Sequence, residues 1–227
     1  MGNRSIDDQL EELRSQVDKL KSLSSNLSIC NSTILQDKII KDLLYDAIQL
    51  GEGAFLVGNA RLGTPLFALM RIICELMFRI DWVSLSPDNA IEFESEVCSG
   101  MEKTVAVYLK RGRATIVNGT TGEDYTDKIL PQIRTSKQPG KIIENLAKDL
   151  GLSKVYDIVY RFSSLEVHIK TFGMSPSDEE ALLAGLASIV SLIKVISLIT
   201  ENKVLRNQKT AADEILKVLR INNVGGE

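Results

Sequence analysis

Residues 181–199 form a nearly unbroken run of Ala, Leu, Ile, Val and Ser that contains a single ion, Lys194. A helix that is apolar on every side has to be enclosed by other helices of its own chain, by a partner or by lipid. The length of the run suits a bilayer. Lys194 argues against one, because an ion near mid-bilayer costs about 2.5 kcal/mol or more, and Ser188, Ser191 and Ser197 interrupt the run further. The expectation is a helix buried within a bundle and no membrane segment, with an oligomer contact as the other option.

The rest of the chain repeats at helical spacing. Ile6, Leu10, Leu13, Val17, Leu20, Leu27 and Ile34 alternate steps of four and three, with Ser24 and Asn31 at the two missing positions, which makes a heptad seam. Ser5 and Asp8 supply a start signal. The seam packs either on the chain's own core or on a partner helix, in the second case with Asn31 setting register. Ile39, Ile40, Leu43, Leu44, Ala47 and Ile48 continue on one broad face, and Gly51, Gly53 and Gly58 allow a neighbour to approach closely. Thr64 with Pro65, and Ser86 with Pro87, read as a cap followed by a first-turn proline. A fourth helix is predicted over about 88–109, a loop region with a short helix near 124–133 after it, and a helix over 141–150 closed by Gly151. Ser153 is predicted to cap a helix ending near Gly173, Ser175-Pro176-Ser177-Asp178 to open the apolar one, and residues 211–221 to form a last amphipathic piece. The predicted fold is an all-α helical bundle with a long, coiled-coil-like N-terminal helix. Residues 1–36 would be a heptad arm for oligomerisation or a protein partner, residues 37–205 the core, and residues 206–227 a C-terminal helix and tail.

A net charge of −3 and a pI near 5.4 provide no global basic field, which disfavours a duplex DNA reader. Cys30, Cys74 and Cys98 are odd in number and widely spaced, as expected of reduced, mostly buried thiols in a cytoplasmic protein. The first residues turn acidic at once and lack the apolar stretch of a secretory signal.

His168 is the only histidine, so a His-rich zinc site is excluded and no metal or cofactor is expected. Arg71, Glu75 and Arg79 stand four apart in an otherwise apolar helix. Such a stripe marks either a polar cleft or a buried Arg-Glu-Arg lock. Arg161 and His168 are seven apart, two turns on one helical face, with Ser164 between them and Tyr160 beside them. Placed in a last turn, His168 would favour its protonated form, useful for proton exchange near neutral pH; the alternative is a structural His bonded to Glu75 or to a carbonyl. Residues 58–64 imitate a phosphate loop in spacing but lack the Lys before Thr64 and a preceding strand.

Arg161 followed by six residues and His168 near the end of a bundle helix resembles the Arg-x(4-6)-His motif of the HEPN superfamily of prokaryotic ribonucleases and helical nucleic-acid-associated proteins. The ordered set Arg71, Glu75, Tyr156, Tyr160, Arg161, Ser164 and His168 is similar, more closely, to a bacterial family of uncharacterised helical proteins with Arg-x3-Glu and Tyr-x3-Tyr-Arg-x2-Ser-x3-His helices; similar domains occur near phage-defence loci. The resemblance covers about residues 38–173, and Phe162 stands where the ribonucleases commonly have a small or polar residue. It implies metal-independent RNA cleavage by a toxin or antiviral effector. His168 would move the proton as a ribose 2′-hydroxyl attacks phosphorus, and Arg161 would stabilise the phosphoryl oxygens. Arg71 would add a phosphate contact, Glu75 would orient an Arg or His168, and a homodimer would complete the site.

Overall fold

The computed structural model describes residues 5–27, 34–133, 142–161, 163, 178–204 and 212–219. It is all-α: helices α1 (Ile6–Asn26), α2 (Ile34–Asn59), α3 (Gly63–Leu85) and α4 (Pro87–Lys110), then the short α5 (Thr126–Ile129). There follow α6 (Ile143–Asp149), α7 (Ser153–Val155) running into a π-helix (Tyr156–Arg161), α8 (Asp178–Val204) and α9 (Ala212–Val218). Among the described residues the only β pairing is an isolated bridge between Val117 and Asp124.

Four long helices make the bundle. α1 and α3 each lie against both α2 and α8, with α2 and α8 meeting across the middle; α4 packs outside on α2 and α3, and α9 on α8. The heptad seam faces inward: Leu10, Leu13, Val17, Leu20 and Leu27 are buried. Two glycines of α2 set the register. A Cβ at Gly58 would stand 2.7 Å from Leu10 Cδ2 and 3.0 Å from Leu186 Cδ2, and one at Gly51 would stand 2.7 Å from Val17 Cγ2 and 3.7 Å from Ile193 Cδ1. A step of seven residues down α2 is thus a step of seven up both α1 and α8. α1 and α8 therefore run parallel, and α2 runs against them. Gly53, the third glycine of the run, has nothing within 4 Å of such a Cβ.

By length and composition α8 could cross a membrane. Here Leu186, Ile189, Leu192, Ile193, Val195 and Ile196 are buried in the bundle. Lys194 reaches the edge, where its Nζ stands 2.7 Å from Glu12 Oε1 on α1, and Lys19–Glu201 at 2.8 Å repeats the pairing two turns on. The ion in the apolar run is a register mark between α1 and α8.

Helix ends differ from the sequence reading in instructive ways. Ser5 and Asp8 form a reciprocal capping box, and Ser86 accepts from the Asn89 amide at 3.2 Å, both as expected. Thr64 does not cap α3, which already starts at Gly63. The reason is the closure of α2, where the Arg61 amide donates to the Gly58 carbonyl and the Leu62 amide to the Val57 carbonyl, turning the chain before Thr64 is reached. Gly112 closes α4 and Gly151 closes α6 by the same pattern, each with positive φ. At α2 the left-handed position is held by Arg61, φ 58°. Ser153 is the first residue of α7 and not its cap. The N-terminal seam ends at Leu27, and Ile34 opens α2, so the arm does not extend through residue 34 as one helix. Asn31 lies outside the described residues. Cys74 is buried, and burial pushes its thiol up, whereas Cys98 is exposed, contrary to expectation.

Candidate functional site

α3 supports the site. Its inner face (Leu66, Met70, Ile73, Met77, Ile80) fills the bundle, leaving Arg71, Glu75 and Arg79 half-buried on another side, where α6, the π-helix and α4 pack. The stripe therefore lies between two layers of the fold, and its charged heads keep some water contact.

The three charges do not act as one unit. Arg79 takes Glu75 at 3.3 Å and Glu96 of α4 at 3.7 Å, with its guanidinium over the Phe93 ring, 5.5 Å from the centroid. Arg71 turns away from Glu75 and donates to the Tyr160 hydroxyl at 3.2 Å, its guanidinium 5.1 Å from the centre of that ring. Helical electrostatics favour this choice, since an acid four residues before a base is the better order and only Glu75–Arg79 has it.

The segment predicted as an α-helix winds here as a π-helix. Its bonding from i to i+5 widens the turn and brings residue 161 back over residue 156. The Arg161 guanidinium accordingly lies 5.2 Å from the Tyr156 ring centre, and Tyr156 and Tyr160 stack at 5.1 Å with 17° between planes. The outcome is a ladder, Arg161, Tyr156, Tyr160, Arg71, with a cation at each end and two rings between. Ser163, fully buried, donates to the Tyr160 carbonyl at 2.9 Å and ties down the end of the widened turn.

Arg161 is the solvent end, its side chain 55% exposed. Glu144 of α6 stands 3.3 Å and Asp157 3.4 Å from it. Its bond to Tyr156, then the charge of Asp157, holds the guanidinium even more firmly protonated than usual. A groove of about 340 Å³ opens beside Ile158 and Val159 of the same turn, with Gln9, Ser188, Ser191 and Lys194 in its wall.

The structure thus joins Arg71, Tyr160 and Arg161 through Tyr156, and separates Glu75 from them. Ser164 and His168 lie outside the described residues. The sequence reading missed Tyr156 as a rung and Glu144 and Asp157 as partners of Arg161. The Tyr-x-x-x-Tyr-Arg spacing held the stack, but the cation over the first ring depends on the π-turn. Among the described residues no three His, Cys, Asp or Glu side chains stand together in a way that could hold a metal ion.

No curated protein and no solved structure matches this chain. The model of DUF5677, a family of unknown function, matches residues 37–181. That span takes in the whole ladder and His168 and leaves out α1 and most of α8. Because the match covers more than half of its residues, the chain belongs to the DUF5677 family.

Proposed function

We propose that the chain is a metal-independent endoribonuclease of HEPN type, a cytoplasmic toxin or phage-defence effector. His168 takes the proton of a ribose 2′-hydroxyl as that oxygen attacks the adjacent phosphorus; the 5′-oxygen leaves and is protonated, giving a cyclic phosphate and a free 5′-hydroxyl. Arg161 stabilises the charge that builds on the phosphoryl oxygens. No cofactor takes part in this reaction.

The observation supporting this reading is the setting of Arg161. Its guanidinium faces solvent at the end of a stacked support, and its two carboxylate partners are exposed, so phosphate can replace them at little cost. Arg71 serves in a positioning role, since it is bonded to Tyr160 and stands two rings away from Arg161.

A second reading has its own observation. Arg71, Glu75 and Arg161 each already have a protein partner, which fits a non-catalytic helical interaction module whose polar residues fix the packing. Purified protein incubated with RNA, with and without a chelator, separates the two. Chelator-resistant cleavage is expected, reduced about 10²-fold or more in Arg161→Ala and His168→Ala, with the Arg161→Ala melting temperature unchanged. Intact RNA with the wild-type chain would leave only the interaction module.

A further inference from the structure

One face of α4 rests on α2 and α3, yet the helix has a second apolar face that nothing in the described fold covers. Ile91, Cys98, Met101, Val105 and Tyr108 are exposed, Met101 to 64%. With Glu94 they occupy positions 91, 94, 98, 101, 105 and 108, alternating steps of three and four, a heptad seam interrupted only by Glu94. Val97, also exposed, widens it. The seam runs for roughly five turns, or about 26 Å.

Charge along the same segment is polarised. Residues 87–96 hold Asp88, Glu92, Glu94 and Glu96 and no base, Glu96 being held by Arg79 on the α3 side; residues 102–113 hold Lys103, Lys110, Arg111 and Arg113 against one acid, Glu102. We infer that the exposed face of α4 pairs with the same face of a second copy of this chain, the two helices running antiparallel about a two-fold axis between Cys98 and Met101. A two-fold contact needs a self-complementary surface. Antiparallel alignment supplies one, because it sets each acidic half against the other copy's basic half. It also places Glu94 opposite Val105. A parallel pair would instead bring Glu94 against Glu94 and acid against acid.

The N-terminal seam cannot serve this purpose without leaving the bundle, since α1 buries it against α2 and α8. A single helix face is a small interface, so the expected dimer is weak, with a dissociation constant in the range of about 1–100 μM.

Sedimentation velocity on the full chain over a concentration series tests it. The wild-type protein should pass from monomer to dimer over that range. Met101→Asp, at the centre of the seam and exposed, should raise the dissociation constant about tenfold or more without lowering the melting temperature, and Val105→Glu should do the same. Glu94→Lys tests direction: it weakens an antiparallel pair by adding a cation near the other copy's basic half, whereas in a parallel pair it exchanges one like-charge contact for another. A wild-type chain that stays monomeric to about 100 μM would overturn the inference. So would a dimer indifferent to both seam variants, or one that Glu94→Lys does not weaken.

Discussion

Alanine at Gly51 and alanine at Gly53 should have opposite effects, although the two positions share one helix and one change in propensity. In a helix interior, Gly→Ala contributes about 0.5–1 kcal/mol of stability by itself. At Gly53 nothing lies within 4 Å of the added methyl, so that gain should appear in full. At Gly51 the methyl would stand 2.7 Å from Val17 Cγ2, whereas carbon atoms rest at about 3.5–4.0 Å. Val17 is β-branched, held near one rotamer by its helix and buried, so it cannot swing aside. α1 and α2 must separate instead, at an overpacking cost of about 1–3 kcal/mol. The propensity gain is common to both variants, so their difference is the overpacking cost alone. For a chain of this size it amounts to roughly 2–12 °C in melting temperature. Gly58→Ala should fall between them, because it meets the far ends of two leucine side chains. Urea and thermal unfolding of the three variants provide the comparison. Equal stabilisation by Gly51→Ala and Gly53→Ala would refute the inward seam, and with it the close packing of α1 on the bundle.

Asp81 and Arg61 offer further tests. Burial pushes the Asp81 carboxyl up to about 7, while an unfolded Asp titrates near 3.9, so stability should fall as pH rises from about 4 to about 7 and level off above. Asp81→Asn should therefore stabilise the protein at about pH 8, by up to roughly 4 kcal/mol, and give no gain at about pH 4; the same gain at both would contradict the assignment. Arg61→Gly and Arg61→Ala both lose the exposed pair with Asp7, but only glycine relieves the positive φ, so denaturation should find Arg61→Gly more stable by about 1 kcal/mol. Equal stability of the two would remove the claim of strain.

The fold was legible because apolar spacing reports burial directly. The seam from Leu10 to Leu27, the broad face of α2, the Ser86-Pro87 start and the enclosed run around Lys194 all follow from which residues must avoid water. The break between α1 and α2 was less visible, although the polar cluster from Ser24 to Ser32 is a turn signal that the heptad count overrode. Arg61 in a left-handed position leaves no mark on periodicity, because a glycine would be expected there. The π-turn is invisible for a similar reason. A change from i+4 to i+5 bonding alters which side chains meet, without changing how apolar the segment is. The partner of Arg71 was underdetermined by spacing, since Glu75 is as near along the helix as Glu75 is to Arg79; the preferred order of acid and base was the available signal.

One face of α3 registers two neighbours. Arg79 holds α4 through Glu96 and Phe93, and Arg71, two turns earlier, holds the π-helix through Tyr160. Neither contact is deep enough to contribute much stability. Arg79 and Glu96 keep 23% and 15% of their side-chain surface and stand 3.7 Å apart, and partly exposed pairs are worth about 1 kcal/mol or less. The apolar inner face of α3 supplies the cohesion instead, and the charged stripe decides orientation. That division explains how a nearly apolar helix tolerates three ions: their heads sit at the boundary between layers, where water still reaches them, and each specifies a direction for the element packed over it. The self-pairing face of α4 and the solvent-facing Arg161 are thus set from a single rigid helix. Arg71 and Arg79 stand eight positions apart on that helix, about two turns.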